Sequence, residues 1–346
     1  MKLGYIGRGQ TAVMLTLFGV IFCVLNTSLS DMGTSLADIS VSVMLLAVML
    51  IPLAILSMSG EKSVPELCTQ HLGFIGRVVN ILFFIYFITA AANILKRFSE
   101  FVSERYLPEA NAAVCIIMLG AVCIYIAHTG VETVCRMSTV LLFMLCALSV
   151  IFLLGAWKDI LAFDCNSVTF PKLSLQRGLG GLLPIGATGC TCLCVMCGGM
   201  GRRTRGGAYV GIAAMLAAAA LITAAVYMTL GGYISVSEYP LADSVIYAAR
   251  ERTFRNDGLF FSLWTVMCAA VISLLCACGG HSIKQAIPII KGEGLIGGIT
   301  AVICALTEMY FGITFCKMIY ENPLPPIILT AAVPLILLMF KKGKSR

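Results

Sequence analysis

The run VVNILFFIYFITAAANIL (Val78–Leu95) holds no charged side chain, whereas the fourteen residues after it, KRFSEFVSERYLPE (Lys96–Glu109), hold six. A helix needs ~20 mostly apolar residues to cross a ~30 Å hydrocarbon core, and a segment that then turns abruptly polar reads as one leaving a bilayer. The rest of the chain supports this. Of its 346 residues, 59% are apolar and only 12% charged, with a mean hydropathy of +0.96. A soluble domain needs more charge than this to cover its exterior. The composition predicts an all-α polytopic membrane protein.

Windows bounded by charge or turn residues predict ten spans, at about 11–30, 39–58, 77–95, 112–128, 138–156, 179–200, 207–231, 259–279, 295–316 and 325–340. The first apolar run ends in NTSLSDMG (Asn26–Gly33) without a small-residue cleavage site, so it reads as a span rather than a signal peptide. With the N-terminus in the cytoplasm, the inner segments carry fourteen basic and four acidic residues, and the outer ones ten and twelve. Excess Lys and Arg mark the cytoplasmic side, so both termini are expected inside, with residues 341–346 as a basic tail. The spans divide into two five-helix halves, 1–157 and 178–340, as an inverted repeat would require.

Beyond Leu95, helical spacing puts Ile94, Phe98, Phe101, Val102 and Arg105 on one side and Lys96, Glu100 and Glu104 on another. This predicts an amphipathic continuation of span three along the outer membrane surface, although a solvated loop of mixed charge gives the same pattern. Tyr239–Gly258 repeats the theme on the same side.

Residues Gly178–Cys190 carry five glycines and Pro184, which predicts a broken sixth span. Irregular backbone in a bilayer survives only where protein or a water-filled cavity satisfies it, and transporters place substrate at such breaks; close packing of small residues is the alternative. In span one, Gly19 is the weak counterpart. Glu308 is the one acid placed within a span: a proton or cation site, a buried partner for a cation, or a hydrated carboxylate close to the outer interface. Asn26, Asn80, Tyr86, Thr89 and Asn93 are expected to line a polar path, or equally to form interhelical hydrogen bonds. Cys190, Cys194 and Cys197 share a helical face, yet no His or carboxylate stands beside them in sequence, so packing is expected and no metal. The three histidines (His71, His128, His281) lie near inner segments without a nucleophile motif, and no phosphate-binding or hydrolase signature appears. No enzyme, cofactor or nucleic-acid partner is expected.

Three stretches together resemble one family. AANILKRFSEFVSERYLPEA carries Arg97, Phe98, Glu100, Phe101, Leu107 and Pro108; YIAHTGVETVCRMS carries Gly130, Glu132 and Arg136; EYPLADSVIYAARERTFRNDGLFFSLW carries Tyr239, Pro240, Arg255 and Trp264. In this order and spacing they are similar to the B subunits of spore germinant receptors, from Gln10 to about Phe340. The resemblance implies the amino acid–polyamine–cation permease superfamily, a location in the spore inner membrane, and A and C subunits as partners. It also implies that a nutrient such as an amino acid is sensed at a permease-type pocket. The residues assigned to that pocket are Gly19, Thr89, Asn93, Gly181, Gly186, Thr188 and Trp264, and those assigned to partner contact are Arg97, Glu100, Arg136 and Arg255. The chain departs from the family at Ile21–Phe22, where a Gly-Ser pair is common, and at the end of span six, where an acid is missing. A proton-coupled amino acid or amine transporter using Glu308 is the alternative function.

Overall fold

The computed structural model describes residues 7–25, 45–46, 48–53, 55–56, 62–107, 109, 111–162, 183–199, 206–230, 233, 236–237, 239–249, 257–290, 292–312 and 314–343. All regular structure among them is helical. The elements are α1 (Arg8–Leu25), α2 (Val64–Leu72), α3 (Phe74–Arg105), α4 (Ala112–Thr129), α5 (Val131–Ala162), α6 (Leu183–Met196), α7 (Gly206–Leu230), α8 (Pro240–Ala249), α9 (Asp257–Ala286), α10 (Glu293–Phe311) and α11 (Phe315–Glu321). A last stretch runs from α12 (Leu324–Ile327) through a π-helical segment, Ile328–Ala332, into α13 (Val333–Gly343). Residues 48–53, within the expected second span, are helical too.

Among the described residues, six helices are long and apolar enough to cross a bilayer: Phe74–Arg105, Ala112–Thr129, Val131–Val150, Tyr209–Leu230, Gly258–Ala286 and Glu293–Phe311. Shorter apolar helices cover Gly9–Phe18, Ala187–Met196 and Leu324–Phe340. The chain is an all-α polytopic membrane protein.

Two helices make the core. In α3 and α9 most of the apolar window is buried, whereas α4, α5, α7 and α10 keep about two thirds or more of theirs on the outside. That asymmetry identifies the lipid-facing helices, because their exposed residues (Met118, Tyr125, Phe143, Leu221, Ile303) are large and apolar. The core pair packs on α4 and α10, while α1 packs chiefly on α7 and α5.

Glycine permits the closest approaches. A Cβ on Gly297 would lie 2.2 Å from the carbonyl oxygen of Cys276 in α9, and one on Gly294 2.3 Å from that of Ala127 in α4. With neither side chain, α10 beds directly on two neighbouring backbones, the means by which membrane helices gain van der Waals contact where no hydrophobic effect drives them together.

Three expectations change. First, α6 begins at Leu183 and continues without interruption to Met196, so Leu183–Cys190 is regular helix where a break was expected. Pro184 is second in that helix, where its missing N–H has no intrahelical partner to lose. At 14 residues α6 is still too short to cross a bilayer alone; Gly178–Leu182 lies outside the described residues. Second, α9 reaches Ala286 and α10 starts at Glu293, which brings His281, Lys284 and Glu293 into the helices rather than the loop between them. Third, the apolar face beyond Leu95 does not lie open for a membrane surface. Phe98, Phe101 and Val102 are buried, and Phe98 and Phe101 meet Trp264 edge-on at 5.4 and 4.1 Å between ring centroids.

The two outer amphipathic segments meet each other. Arg105 of α3 pairs with Asp243 of α8 at 3.2 Å, and the Tyr239 hydroxyl donates to Glu104 at 2.9 Å. Arg105 also lies over the Tyr239 ring. Together the two segments form one ion-paired contact closing this end of the bundle.

Candidate ligand-binding site

The polar side chains expected to line a pocket fall mainly on one stripe of α3. Tyr86, Thr89 and Asn93 are spaced i, i+3, i+7, so they stack along one face, and all three are buried. The Tyr86 hydroxyl and the Thr188 hydroxyl of α6 are 2.7 Å apart, a hydrogen bond between the third and sixth spans. The Thr89 hydroxyl donates to the Tyr86 carbonyl at 2.9 Å, which uses its one proton and leaves it able only to accept.

One turn along α6, Thr191 donates to the carbonyl of Ala187 at 2.7 Å and lies 3.1 Å from the Thr330 hydroxyl. Thr330 sits inside the π-helical segment. Pro334 supplies the cause. It has no N–H to give to the carbonyl four residues back, which is that of Thr330, and its ring crowds that carbonyl. Such π segments widen a helix by one residue and re-aim the side chains within it.

Asn93 Nδ2, two turns along α3 from Tyr86, is a buried donor with no acceptor, and so is Trp264 Nε1 farther along, towards the Arg105 end of the bundle. Each residue keeps only 2% of its surface exposed. An unpaired buried donor costs about 1–3 kcal/mol, so each marks a place where a hydrogen-bond acceptor fits. Trp264 is also the centre of an aromatic box with Phe98, Phe101 and Phe260.

The other expected residues are placed as follows. Gly19 and Gly186 are backbone positions of α1 and α6, while Gly181 and Arg255 lie outside the described residues. Glu308 is buried, and its Oε1 accepts the backbone N–H groups of Cys316 at 2.7 Å and Lys317 at 3.4 Å. The carboxylate therefore caps the first turn of α11, a favourable place for negative charge. Its Oε2 has no partner. Glu100 pairs with Lys96 at 3.8 Å within α3, Arg136 pairs with Glu132 within α5, and Arg97 is half-buried on α3. The cysteines of α6 give their thiol protons to carbonyls: Cys194 to Cys190 at 3.6 Å, and Cys197 to Cys194 at 3.1 Å.

Sequence reading missed one cluster entirely. At the opposite end from Arg105, the buried His281 of α9 stands 3.3 Å from Ser63 Oγ and 3.6 Å from Glu66 Oε1 through Nε2. Its Nδ1 is 3.6 Å from Glu293 Oε2. Lys284 holds the other oxygen of Glu293. The available signal was three polar residues placed at the ends of different apolar runs.

These features define a helical membrane protein with a polar seam between its third, sixth and last spans. Residues 6–162 match the family described as Spore germination protein. The matched residues hold the first two of the three motifs whose resemblance pointed to the same family. No curated protein matches the chain.

Proposed function

We propose that the chain binds a small nutrient beside the Tyr86–Thr188 bond and passes the change to partner subunits of a germinant receptor. The observation that carries this is the buried, acceptor-less donor Asn93 Nδ2, two turns along α3 from Tyr86. A nutrient bearing a carboxylate or carbonyl satisfies it. Binding shifts an equilibrium between two arrangements of the spans only as far as the ligand's affinity differs between them. On this reading the protein is a receptor rather than an enzyme. It sits in the inner membrane of the spore with both termini in the cytoplasm, and A and C subunits are its partners.

Asn93→Leu tests the reading with opposite effects on two measurements. Removing an unsatisfied donor raises thermal stability in detergent, or leaves it unchanged. The nutrient concentration for half-maximal dipicolinate release from spores rises about tenfold or more, the equivalent of about 1.4 kcal/mol of lost binding. A normal dose response in spores carrying Asn93→Leu defeats the assignment.

Proton-coupled uptake keeps one observation in its favour, the unpartnered Glu308 Oε2. It predicts amino acid uptake into vesicles that is lost in Glu308→Gln; vesicles without uptake dispose of it.

A further inference from the structure

We propose that Ser63, Glu66, His281 and Glu293 form a latch that holds the His281 end of the bundle shut beneath α6. Three elements converge on one buried imidazole. α2 presents Ser63 and Glu66 to Nε2, and α10 presents Glu293 to Nδ1. The ring thus bridges carboxylates from two different segments, and Lys284 balances one of them from the next turn of α9. The approach of α10 is close enough that a Cβ on Gly280, the residue before His281, would fall 2.0 Å from the carbonyl oxygen of Glu293.

The clasped element is α2, and what it covers is the end of α6. Cys197 Sγ lies 3.8 Å from the Lys62 carbonyl oxygen. A Cβ on Gly198 would lie 2.7 Å from the Ser63 backbone nitrogen. Cys68 of α2 is wholly buried, and burial pushes its thiol up to about 12. Displacing α2 therefore uncovers Cys68 and Cys197 together, and lowers the barrier to forming the reactive thiolate at Cys68.

Ser63 links the latch to local folding. It N-caps α2 in a capping box, its side chain accepting from the Glu66 backbone while the Glu66 side chain accepts from Ser63 N at 3.2 Å. A glutamine at the same place in a capping box preserves the cap. Glu66→Gln therefore keeps α2 helical while removing one of the two charges that face His281. Glycine at position 73, with φ +55°, turns the chain between α2 and α3 in a conformation that other residues rarely adopt, and it is where α2 pivots.

The test is alkylation of the full chain in lipid nanodiscs by N-ethylmaleimide, read cysteine by cysteine by mass spectrometry. Cys68 and Cys197 report on the latch; Cys123 and Cys268, both buried in the core, report on the fold. In Glu66→Gln and His281→Gln the rates at Cys68 and Cys197 should rise at least tenfold, with Cys123 and Cys268 unchanged. Unchanged rates at Cys68 and Cys197 in both variants overturn the proposal. If all four rates rise in His281→Gln, the milder Glu66→Gln decides: a selective rise there supports the latch, and a general rise overturns it by showing that the cluster holds up the whole bundle.

Discussion

The two ends of the bundle are each tied by charged groups, in different surroundings. At one end, Arg105 keeps 37% of its side chain exposed while it pairs with Asp243. At the other, the side chains of His281 and Glu293 are 7% and 6% exposed. An exposed pair contributes about 0–1 kcal/mol, because water screens it and two long side chains must be ordered. Removing one partner of a buried group costs about 3–5 kcal/mol, most of it from the charge left behind. Similar contact geometry thus gives unequal hold. The Arg105 end relies on its aromatic box, with the ion pair setting register; the His281 end relies on the charges themselves.

Three substitutions would sharpen or break this contrast. The largest effect is expected from Glu293→Ala, which strips both Lys284 and His281 of a carboxylate. Thermal unfolding in detergent should show a loss of about 2–4 kcal/mol, below the fully buried figure because Lys284 is partly exposed. A loss under about 1 kcal/mol would erase the difference between the ends. Ser63→Ala is intermediate. It removes a helix cap and a contact to His281, and should cost about 1–2 kcal/mol, with faster amide exchange confined to Val64–Leu72. Exchange spreading into α9 would show that the cap and the cluster are not separable. The smallest effect is expected from Arg105→Ala, within about 1 kcal/mol and shrinking further between low and high salt. A loss that is large and indifferent to salt would mean that this end is held by charge after all.

Much of this architecture can be read from the chain, for identifiable reasons. The spans at α3, α4, α9 and α10 follow from apolar length, a property local to each segment. Thr188 and Trp264 stood out because they belong to a glycine-rich stretch and a family motif, and the fold places both beside α3. Sequence could not show that the Phe98–Phe101 face packs against Trp264 instead of lipid, because an apolar stripe looks the same against either. It could not show the start of α6, since Pro184 breaks a helix interior yet suits a helix start. The His281 cluster joins residues 218 positions apart, and Glu66 and Glu293 each read as one more loop acid until folding brought them together. Glu308 was legible as a buried carboxylate, but its acceptance of the α11 backbone depends on a turn at Gly312 that has no periodic signature.

The glycine seam along α10 has a mechanical consequence. Where Gly294 and Gly297 let backbone rest on backbone, no side chain can change rotamer to absorb a displacement, so α4, α9 and α10 behave as one stiff plate. A displacement within the bundle, that of α2 from the end of α6 included, then has to take place against that plate. Spin labels placed across the seam would keep one separation whatever ligand is added.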